Sequence, residues 1–194
     1  MKLPPLLLLG LFASLGTGCM TKNTSKADFE SFQTALSATD KKPGNAEAAQ
    51  SGIARFKKLF TAMKNPDFKE RVLSTYAENA YLNDTLVELR GNKVIANYLT
   101  ETAKNSESLE MTYEDFAHSG NNYYLRWVMV IRSKVLSHGE PLYSTGMTLL
   151  RLDRDGRVTM HKDYWDSASG FYKHLPVLGP EIQFIQSRLQ KSSK

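Results

Sequence analysis

The sequence predicts an α+β fold in which helices come first and a long antiparallel sheet follows. Up to about residue 107, apolar residues recur at three- and four-residue spacings, which is the period of a helix with one buried face. Beyond that point they alternate with polar residues, which is the period of a strand. Helices followed by runs of strands are typical of α+β domains, and 194 residues suffice for one hydrophobic core.

The helical half begins with a helix predicted near residues 51–64, which Asn65-Pro66-Asp67 ends. Its apolar face consists of Ile53, Phe56, Leu59, Phe60 and Met63. A second short helix is expected at about 67–74 and a short strand at 80–82. A third helix is expected after Gly91-Asn92, with Val94, Ile95, Tyr98 and Leu99 as its buried stripe.

Four strands are expected in the second half, at residues 108–117, 122–136, 142–152 and 157–166. Asp155-Gly156 between the last two runs is a strong hairpin signal. A C-terminal helix is expected after Gly179-Pro180, because proline is favoured at the first helical position.

The strand at 122–136 has two different faces. The odd-numbered side chains from Tyr123 to Ile131 are all apolar or aromatic, so we expect them to look onto the helices and any pocket. The even-numbered side chains, from Tyr124 to Arg132, are apolar in the centre and flanked by two arginines. We expect this second face to be either a dimer surface or a half-exposed side of the sheet.

Residues 1–18 predict a secretory signal peptide: one lysine, an apolar run from Leu3 to Leu15, and small residues before Cys19. The alternative is an uncleaved anchor helix. A single cysteine at the end of such a segment resembles a bacterial lipoprotein signal, in which the cysteine becomes the acylated first residue. The resemblance implies palmitate-type lipidation at Cys19 and a cell-envelope location. Because Met20 rather than aspartate follows, it implies an outer membrane, facing the periplasm, in a Gram-negative host.

The segment 19–50 is predicted to be the lipidated N-terminus and a flexible tether, since it is polar and contains Pro43-Gly44. Phe29, Phe32 and Leu36 have helical spacing and allow a short helix within it. The folded domain is expected to occupy residues 51–194.

Composition and motifs exclude several classes of function. With 41% hydrophobic and 23% charged residues, the chain is neither wholly disordered nor a multi-span membrane protein. The net charge of +5 is not gathered into a basic stripe, so no nucleic-acid binding is expected. There is no phosphate-cradling glycine loop, and the four histidines are scattered, so we expect neither a cofactor nor a metal.

Three patches of the sequence resemble the nuclear-transport-factor-2-like, or SnoaL-like, superfamily. They are residues 76–84 with 89–95, residues 125–129, and residues 151–158 with 161–166. The likeness spans roughly residues 51 to 190. It implies a cone-shaped domain in which a curved antiparallel sheet wraps around the N-terminal helices. It also implies an apolar pocket between the sheet and the helices, and dimerisation through the sheet's outer face.

The candidate catalytic residues are Asp163, His161 and Asp84. His161, Asp163 and Trp165 share one face of the last strand, and Asp163 matches the carboxylate of similar SnoaL-like cyclases. The resemblance places Asp84 near the pocket mouth. The alternatives are that His161 and Asp163 only bond to one another, and that Asp84 is a turn residue.

The candidate pocket-lining residues are Phe56, Phe60, Tyr81, Trp127, Met129 and Trp165. The two tryptophans either line a pocket or fill the core. No tyrosine accompanies Phe56 and Phe60 on the first helix, where ketosteroid isomerases carry their oxyanion donor.

Three functional hypotheses follow from these residues. The first, which we favour because the catalytic set is incomplete, is a membrane-tethered domain that binds a small apolar ligand. The second is a cofactor-free isomerase, cyclase or hydrolase that uses Asp163 and His161. The third is a protein-interaction module that uses the even-numbered sheet face to assemble an envelope complex; a homodimer through the outer sheet face is a separate expectation from the resemblance.

Overall fold

The computed structural model of the chain describes residues 24–39 and 45–191. The predicted signal peptide and the predicted lipidation site Cys19 lie outside the described residues. The chain forms two compact units, one that ends at Thr34 and one that begins at Ala35. None of the described helices is both long enough and apolar enough to cross a membrane.

The described residues form seven α-helices. They are α1 (Thr24–Ala38), α2 (Ala46–Phe60), α3 (Phe68–Thr75), α4 (Asn92–Asn105), α5 (Lys134–Ser137), α6 (Ser167–Gly170) and α7 (Leu178–Lys191). Of these, α4 and α5 lie between strands in chain order. A single 3₁₀ turn at Tyr172–His174 precedes α7.

The sheet has six strands in the order β2-β1-β6-β5-β4-β3. Their bounds are β1 (Tyr76–Asn83), β2 (Glu88–Arg90), β3 (Ser108–Ser119), β4 (Asn122–Arg132), β5 (Pro141–Leu152) and β6 (Val158–Trp165). All neighbours are antiparallel except β1 and β6, which are parallel. Irregular register in the β1–β6, β3–β4 and β5–β6 pairs bends the sheet. The predicted α+β fold, with its curved sheet and its helices at both ends, is confirmed.

The folded part begins earlier than the sequence indicates. Helix α2 starts at Ala46 rather than near residue 51, because the Asn45 side chain caps it by accepting a hydrogen bond from the Ala48 amide at 2.6 Å. Part of the segment predicted as a tether is also helical, as α1. Within the unit that begins at Ala35, the Leu36 carbonyl accepts a hydrogen bond from Arg151 Nη1 at 2.7 Å.

Strand β4 ends at Arg132 rather than at residue 136. Ser133 then caps the short helix α5, since its hydroxyl oxygen accepts a hydrogen bond from the Leu136 amide at 3.3 Å. Strand β1 is longer than expected, because it starts directly at the end of α3.

Helix α2 lies over one face of the sheet, which we call the concave face. Its Phe56, Leu59 and Phe60 are buried in the core. The opposite side of α2 is tied to the β5–β6 hairpin, where Arg55 Nη2 donates a hydrogen bond to the Gly156 carbonyl at 2.8 Å. Gly156 has a φ of 73°, which favours glycine in this turn. This contact joins α2 to the hairpin that leads into β6, the strand that carries His161 and Asp163.

The odd-numbered face of β4 is the concave one, as the sequence predicts. Tyr123, Leu125 and Trp127 are buried, and Tyr123 and Leu125 belong to the main core. Their register partners on β5 are Leu150, Thr148 and Gly146. Consequently Thr148 is a polar residue in the middle of an apolar face.

Candidate active site on the concave face

A chain of hydrogen bonds links five side chains across the concave face. Trp127 Nε1 donates to Thr148 Oγ1 at 2.9 Å, and the Thr148 hydroxyl donates to Asp163 Oδ1 at 2.5 Å. His161 Nε2 lies 2.9 Å from the same carboxylate oxygen. The Tyr76 hydroxyl lies 2.7 Å from His161 Nδ1. Strands β1, β4, β5 and β6 therefore each contribute to one polar network.

Strand register brings these groups together. Thr148 pairs with Asp163, and Leu150 pairs with His161, so the two polar groups of β6 lie beside β5 on the same face. Gly146 leaves room for both indoles: a Cβ there would clash with the Trp127 ring and lie 2.7 Å from the Trp165 Cβ. The missing side chain thus allows Trp127 and Trp165 to approach each other.

The hydrogen bonds favour a neutral imidazole at His161. With the proton on Nε2, His161 donates to Asp163, and Nδ1 accepts from the Tyr76 hydroxyl. A doubly protonated ring would leave the Tyr76 hydroxyl hydrogen without an acceptor at a position that is only 1% exposed. The edges and faces of Phe56 and Phe60 also surround the ring, with centroid distances of 5.1 Å and 5.8 Å. Neutral His161 and ionised Asp163 are therefore the arrangement that satisfies every donor.

Three tyrosines close to this network keep their protons. Burial, followed by the negative charge of Asp163, raises the pKa of Tyr76 and of Tyr113 well above the ordinary value of 10.0. For Tyr98, burial and then the charge of Asp84 raise the pKa. All three phenols remain hydrogen-bond donors at neutral pH.

One oxygen of Asp163 stays available. Oδ1 accepts both hydrogen bonds of the network, whereas Oδ2 accepts none from the described residues. The side chain is 16% exposed, so this carboxylate reaches accessible space on the concave face. The half-buried Tyr113 hydroxyl also makes no hydrogen bond within the described part of the chain. A carboxylate oxygen and a phenol are thus left free to contact a bound molecule.

Asp84 is a turn residue. Its Oδ1 accepts hydrogen bonds from the amides of Leu86 and Val87 at 3.0 Å each, and its Oδ2 accepts one from the Tyr98 hydroxyl at 2.5 Å. Its backbone carbonyl accepts the indole N–H of Trp165 at 2.6 Å. These contacts satisfy both carboxylate oxygens and orient Trp165, which agrees with the turn alternative of the sequence analysis.

Five of the six predicted lining residues lie on helix α2 or on the concave face: Phe56, Phe60, Trp127, Met129 and Trp165. Trp127 is 2% exposed, whereas Met129 and Trp165 are half-buried. Tyr81 is separate. Tyr81 pairs with Met160 on β6, and Met160 pairs with Arg151 on β5. These positions alternate with those of His161 and Leu150 on the concave face, so Tyr81 lies on the opposite side of the sheet. The bulge between Tyr76 and Tyr81 sets the faces of β1, and the sequence carries no signal for it.

Tyr81 lines a different cleft, of about 260 Å³. Its hydroxyl donates to Glu88 Oε2 at 3.0 Å, and the Arg90 guanidinium lies 5.0 Å from the centre of its ring. Burial raises the pKa of Tyr81 to about 12. The remaining lining residues are Ala35, Ala38, Thr39, Ala77, Asn79, Asp153 and Thr159.

Sequence reasoning missed Tyr76, Thr148 and Tyr113. Thr148 had a usable signal, because it is a polar residue at an inward position of β5, two residues before the inward Leu150. Tyr76 had none, since its orientation depends on the start of β1 and on the bulge. In the described residues no group of three histidine, cysteine, aspartate or glutamate side chains is arranged to hold a metal ion.

The model of the SnoaL-like domain family matches residues 45–161, which is more than half of the 194-residue chain. The chain belongs to the SnoaL-like domain family. The match covers α2 to the middle of β6 and includes Tyr76, Thr148 and His161. No curated protein matches the sequence.

Solved structures with the same fold are distant in sequence. An NTF2-like protein of unknown function from Exiguobacterium sp. 255-15 superimposes with a TM-score of 0.52 at 16% identity, over 59% of this chain and 98% of the other. An LEH-like epoxide hydrolase of M. tuberculosis has a TM-score of 0.53 at 17% identity, over 63% of this chain and 88% of the other. A Catenulispora acidiphila protein with a ketosteroid-isomerase-like fold, in complex with trimethylamine, has a TM-score of 0.52 at 18% identity, over 60% of this chain and 88% of the other. At such identities these likenesses establish the fold of the SnoaL-like domain and nothing further.

Proposed function

We propose that the SnoaL-like domain binds a small, largely apolar molecule on its concave face, with Asp163 Oδ2 as the polar contact. The free oxygen is the observation that carries the proposal: Oδ1 is fully engaged, while Oδ2 is accessible and has no described partner. Aromatic residues around it offer apolar surface. Burying about 100–150 Å² of ligand surface would contribute roughly 2.5–4 kcal/mol before the costs of association.

Intrinsic fluorescence tests this proposal, because the chain's two tryptophans, Trp127 and Trp165, both belong to the concave face. Titration of the purified chain with a panel of small apolar compounds should change the emission saturably for at least one of them. Arg90→Ala, at an exposed side chain of the separate cleft, should leave that response unchanged. A response that disappears in Arg90→Ala, or no saturable response at all, would contradict the proposal.

We also propose that lipidation of Cys19 holds the domain at a membrane of the cell envelope, facing the periplasm from the outer membrane in a Gram-negative host. The signal-like segment before Cys19 supports it. Cells supplied with labelled palmitate should yield labelled protein, and Cys19→Ser should carry no label. Unlabelled wild-type protein that stays with the membrane would refute lipidation.

A second candidate function is proton transfer without a cofactor, as in an isomerase or cyclase. The linked groups Tyr76, His161 and Asp163 favour it, because they fix the orientation of a carboxylate that has one free oxygen. Asp163 Oδ2 would take a proton from a carbon acid, and the Tyr113 hydroxyl would donate a hydrogen bond to the developing oxyanion.

Deuterium exchange tests this candidate. A bound ketone should exchange its acidic C–H hydrogens in heavy water in the presence of the wild-type chain, and Asp163→Asn should slow the exchange by orders of magnitude. Equal rates with both proteins would leave ligand binding as the only role of Asp163.

The homodimer is a proposal as well, supported by apolar side chains on the outer sheet face. Tyr143, Met147 and Tyr164 are 67%, 37% and 41% exposed there. Light scattering should give the mass of two chains, and Tyr143→Lys should reduce it to one. A monomeric wild-type protein at high concentration would exclude this dimer.

A further inference from the structure

We infer that the ligand of the concave face is an organic cation: a largely apolar molecule with one ammonium group that contacts Asp163. The inference rests on the proposed function, because it names the chemical class of ligand for the same site. It depends on three features of the site, namely its uncompensated negative charge, the free carboxylate oxygen and the aromatic rings.

The negative charge of Asp163 has no positive partner among the described residues. The groups that face it are neutral: His161 donates to it as a neutral imidazole, and Thr148 donates through its hydroxyl. Neither Asp163 nor Asp84 forms a salt bridge with a described lysine or arginine. Lys162, between His161 and Asp163 on β6, has its ammonium 2.6 Å from Asn83 Oδ1. Asp163 therefore carries a negative charge that no described lysine or arginine contacts.

A neutral apolar molecule would leave this charge in a worse environment. It would displace water from Asp163 Oδ2 without supplying a donor, and an ionised group without a partner is strongly disfavoured in apolar surroundings. An ammonium group removes this penalty, because its positive charge lies against the carboxylate and offsets the negative charge, and a protonated amine in addition donates a hydrogen bond. Charge complementarity thus selects a cation over a neutral molecule of the same shape.

The aromatic rings favour the same class of ligand. Trp127 and Tyr113 are register partners on β4 and β3, and Trp165 shares its face of β6 with Asp163. Ring faces attract cations, and tryptophan attracts them most strongly. One cation already lies near the Tyr113 ring, since the Lys57 ammonium is 5.6 Å from its centre. A carboxylate beside such rings is suited to an alkylammonium group.

Two probes that differ only in charge test the inference. Choline carries a trimethylammonium group. Its uncharged analogue 3,3-dimethyl-1-butanol carries a tert-butyl group of nearly the same shape in that place. Titrations of the purified full chain, followed by tryptophan emission, should show choline binding at least tenfold more tightly, and this preference should decrease as salt is added.

Variants then locate the charge that is responsible. Asp163→Asn should weaken choline binding by about tenfold or more and make the two probes equivalent. Asp163→Glu keeps the charge and should retain a preference for choline. Asp67→Asn is the matched control: it removes one carboxylate at an exposed position before α3, and it should leave both affinities unchanged.

The possible outcomes separate the two claims. Equal binding of both probes to the wild-type chain would overturn the cation inference and leave ligand binding intact. If neither probe bound, and no apolar compound did, the proposed function would fail with it. If choline were preferred in wild type and equally in Asp163→Asn with its circular dichroism unchanged, the assignment to Asp163 would be wrong. The comparison on the wild-type chain does not depend on any variant folding.

Discussion

The Tyr76 hydroxyl on β1 lies 2.7 Å from Nδ1 of His161 on β6. This contact joins β1 to β6 through side chains as well as through their parallel pairing. It also sets the tautomer of His161, because a phenol donor at Nδ1 leaves the proton on Nε2, where it bonds to Asp163. The orientation of the carboxylate thus depends on a tyrosine on a different strand.

We expect Tyr76→Phe to destabilise the domain by about 1–3 kcal/mol, because it leaves His161 Nδ1 buried without a donor. Chemical denaturation measures this directly. Tyr143→Phe, which removes the hydroxyl of a tyrosine that is 67% exposed, should change the free energy of unfolding very little. Equal effects of the two substitutions would argue against the hydrogen bond.

The raised pKa values of Tyr76 and Tyr113 predict a loss of stability at high pH. Because the pKa of Tyr76 and of Tyr113 is higher in the folded chain than the ordinary 10.0, their contribution is complete below pH 10 and decreases as the pH rises above it. Each tyrosine contributes a slope of up to about 1.4 kcal/mol per pH unit. Denaturation curves measured on either side of pH 10 should show this, and Tyr76→Phe should show a smaller slope. A free energy of unfolding that stays constant across this range would contradict the assignment.

Ser144→Ala should stabilise the domain or leave its stability unchanged. The Ser144 hydroxyl is buried and has no hydrogen-bond partner among the described residues, so removing it relieves a desolvation cost of about 1–3 kcal/mol at most. Thr148→Val removes a hydroxyl from the same strand and face, but that hydroxyl has two partners. Its loss should be destabilising. In thermal denaturation, the midpoint of Thr148→Val should therefore fall below that of the wild type. The midpoint of Ser144→Ala should rise or stay unchanged.

Gly146→Ala should destabilise the domain by about 1–3 kcal/mol, because the added methyl group would clash with the Trp127 ring and crowd Trp165. It should also shift the tryptophan emission, since both indoles would have to move. Thr145→Ala, at the exposed neighbouring position, is its control. Unchanged emission and stability in Gly146→Ala would mean that the two indoles do not pack over this glycine.

The sequence predicts the elements better than the site. Alternation along β4 and the Asp155-Gly156 turn predict the sheet, because burial of one face and turn chemistry are local properties. The pairing of His161 with Asp163 also follows from period 2 along one strand. Tyr76 and Tyr81 show where this reasoning ends. Their orientations depend on a register irregularity between β1 and β6. The irregularity depends on how the two strands pair, so the sequence of one strand alone does not predict it.

The N-terminal boundary has a similar explanation. The segment around Leu36 is polar in composition, which predicts a tether, although the spacing of Phe29, Phe32 and Leu36 also allows a short helix. The spacing does not predict the contact with β5, where Arg151 donates to the Leu36 carbonyl and to Thr39 Oγ1 at 2.7 Å and 2.9 Å. Long-range hydrogen bonds of this kind leave no trace in the periodicity of the segment.

The central claim is that a ligand occupies the concave face next to Asp163, and nuclear magnetic resonance tests it most directly. The indole N–H signals of Trp127 and Trp165 should shift saturably as choline is added, because the Trp127 indole is linked to Asp163 through Thr148 and the Trp165 indole is held by the Asp84 carbonyl. The ring signals of Tyr81 should stay where they are. Saturable shifts confined to Tyr81 and Arg90, with both indole signals unchanged, would contradict the account and assign the binding site to the other side of the sheet.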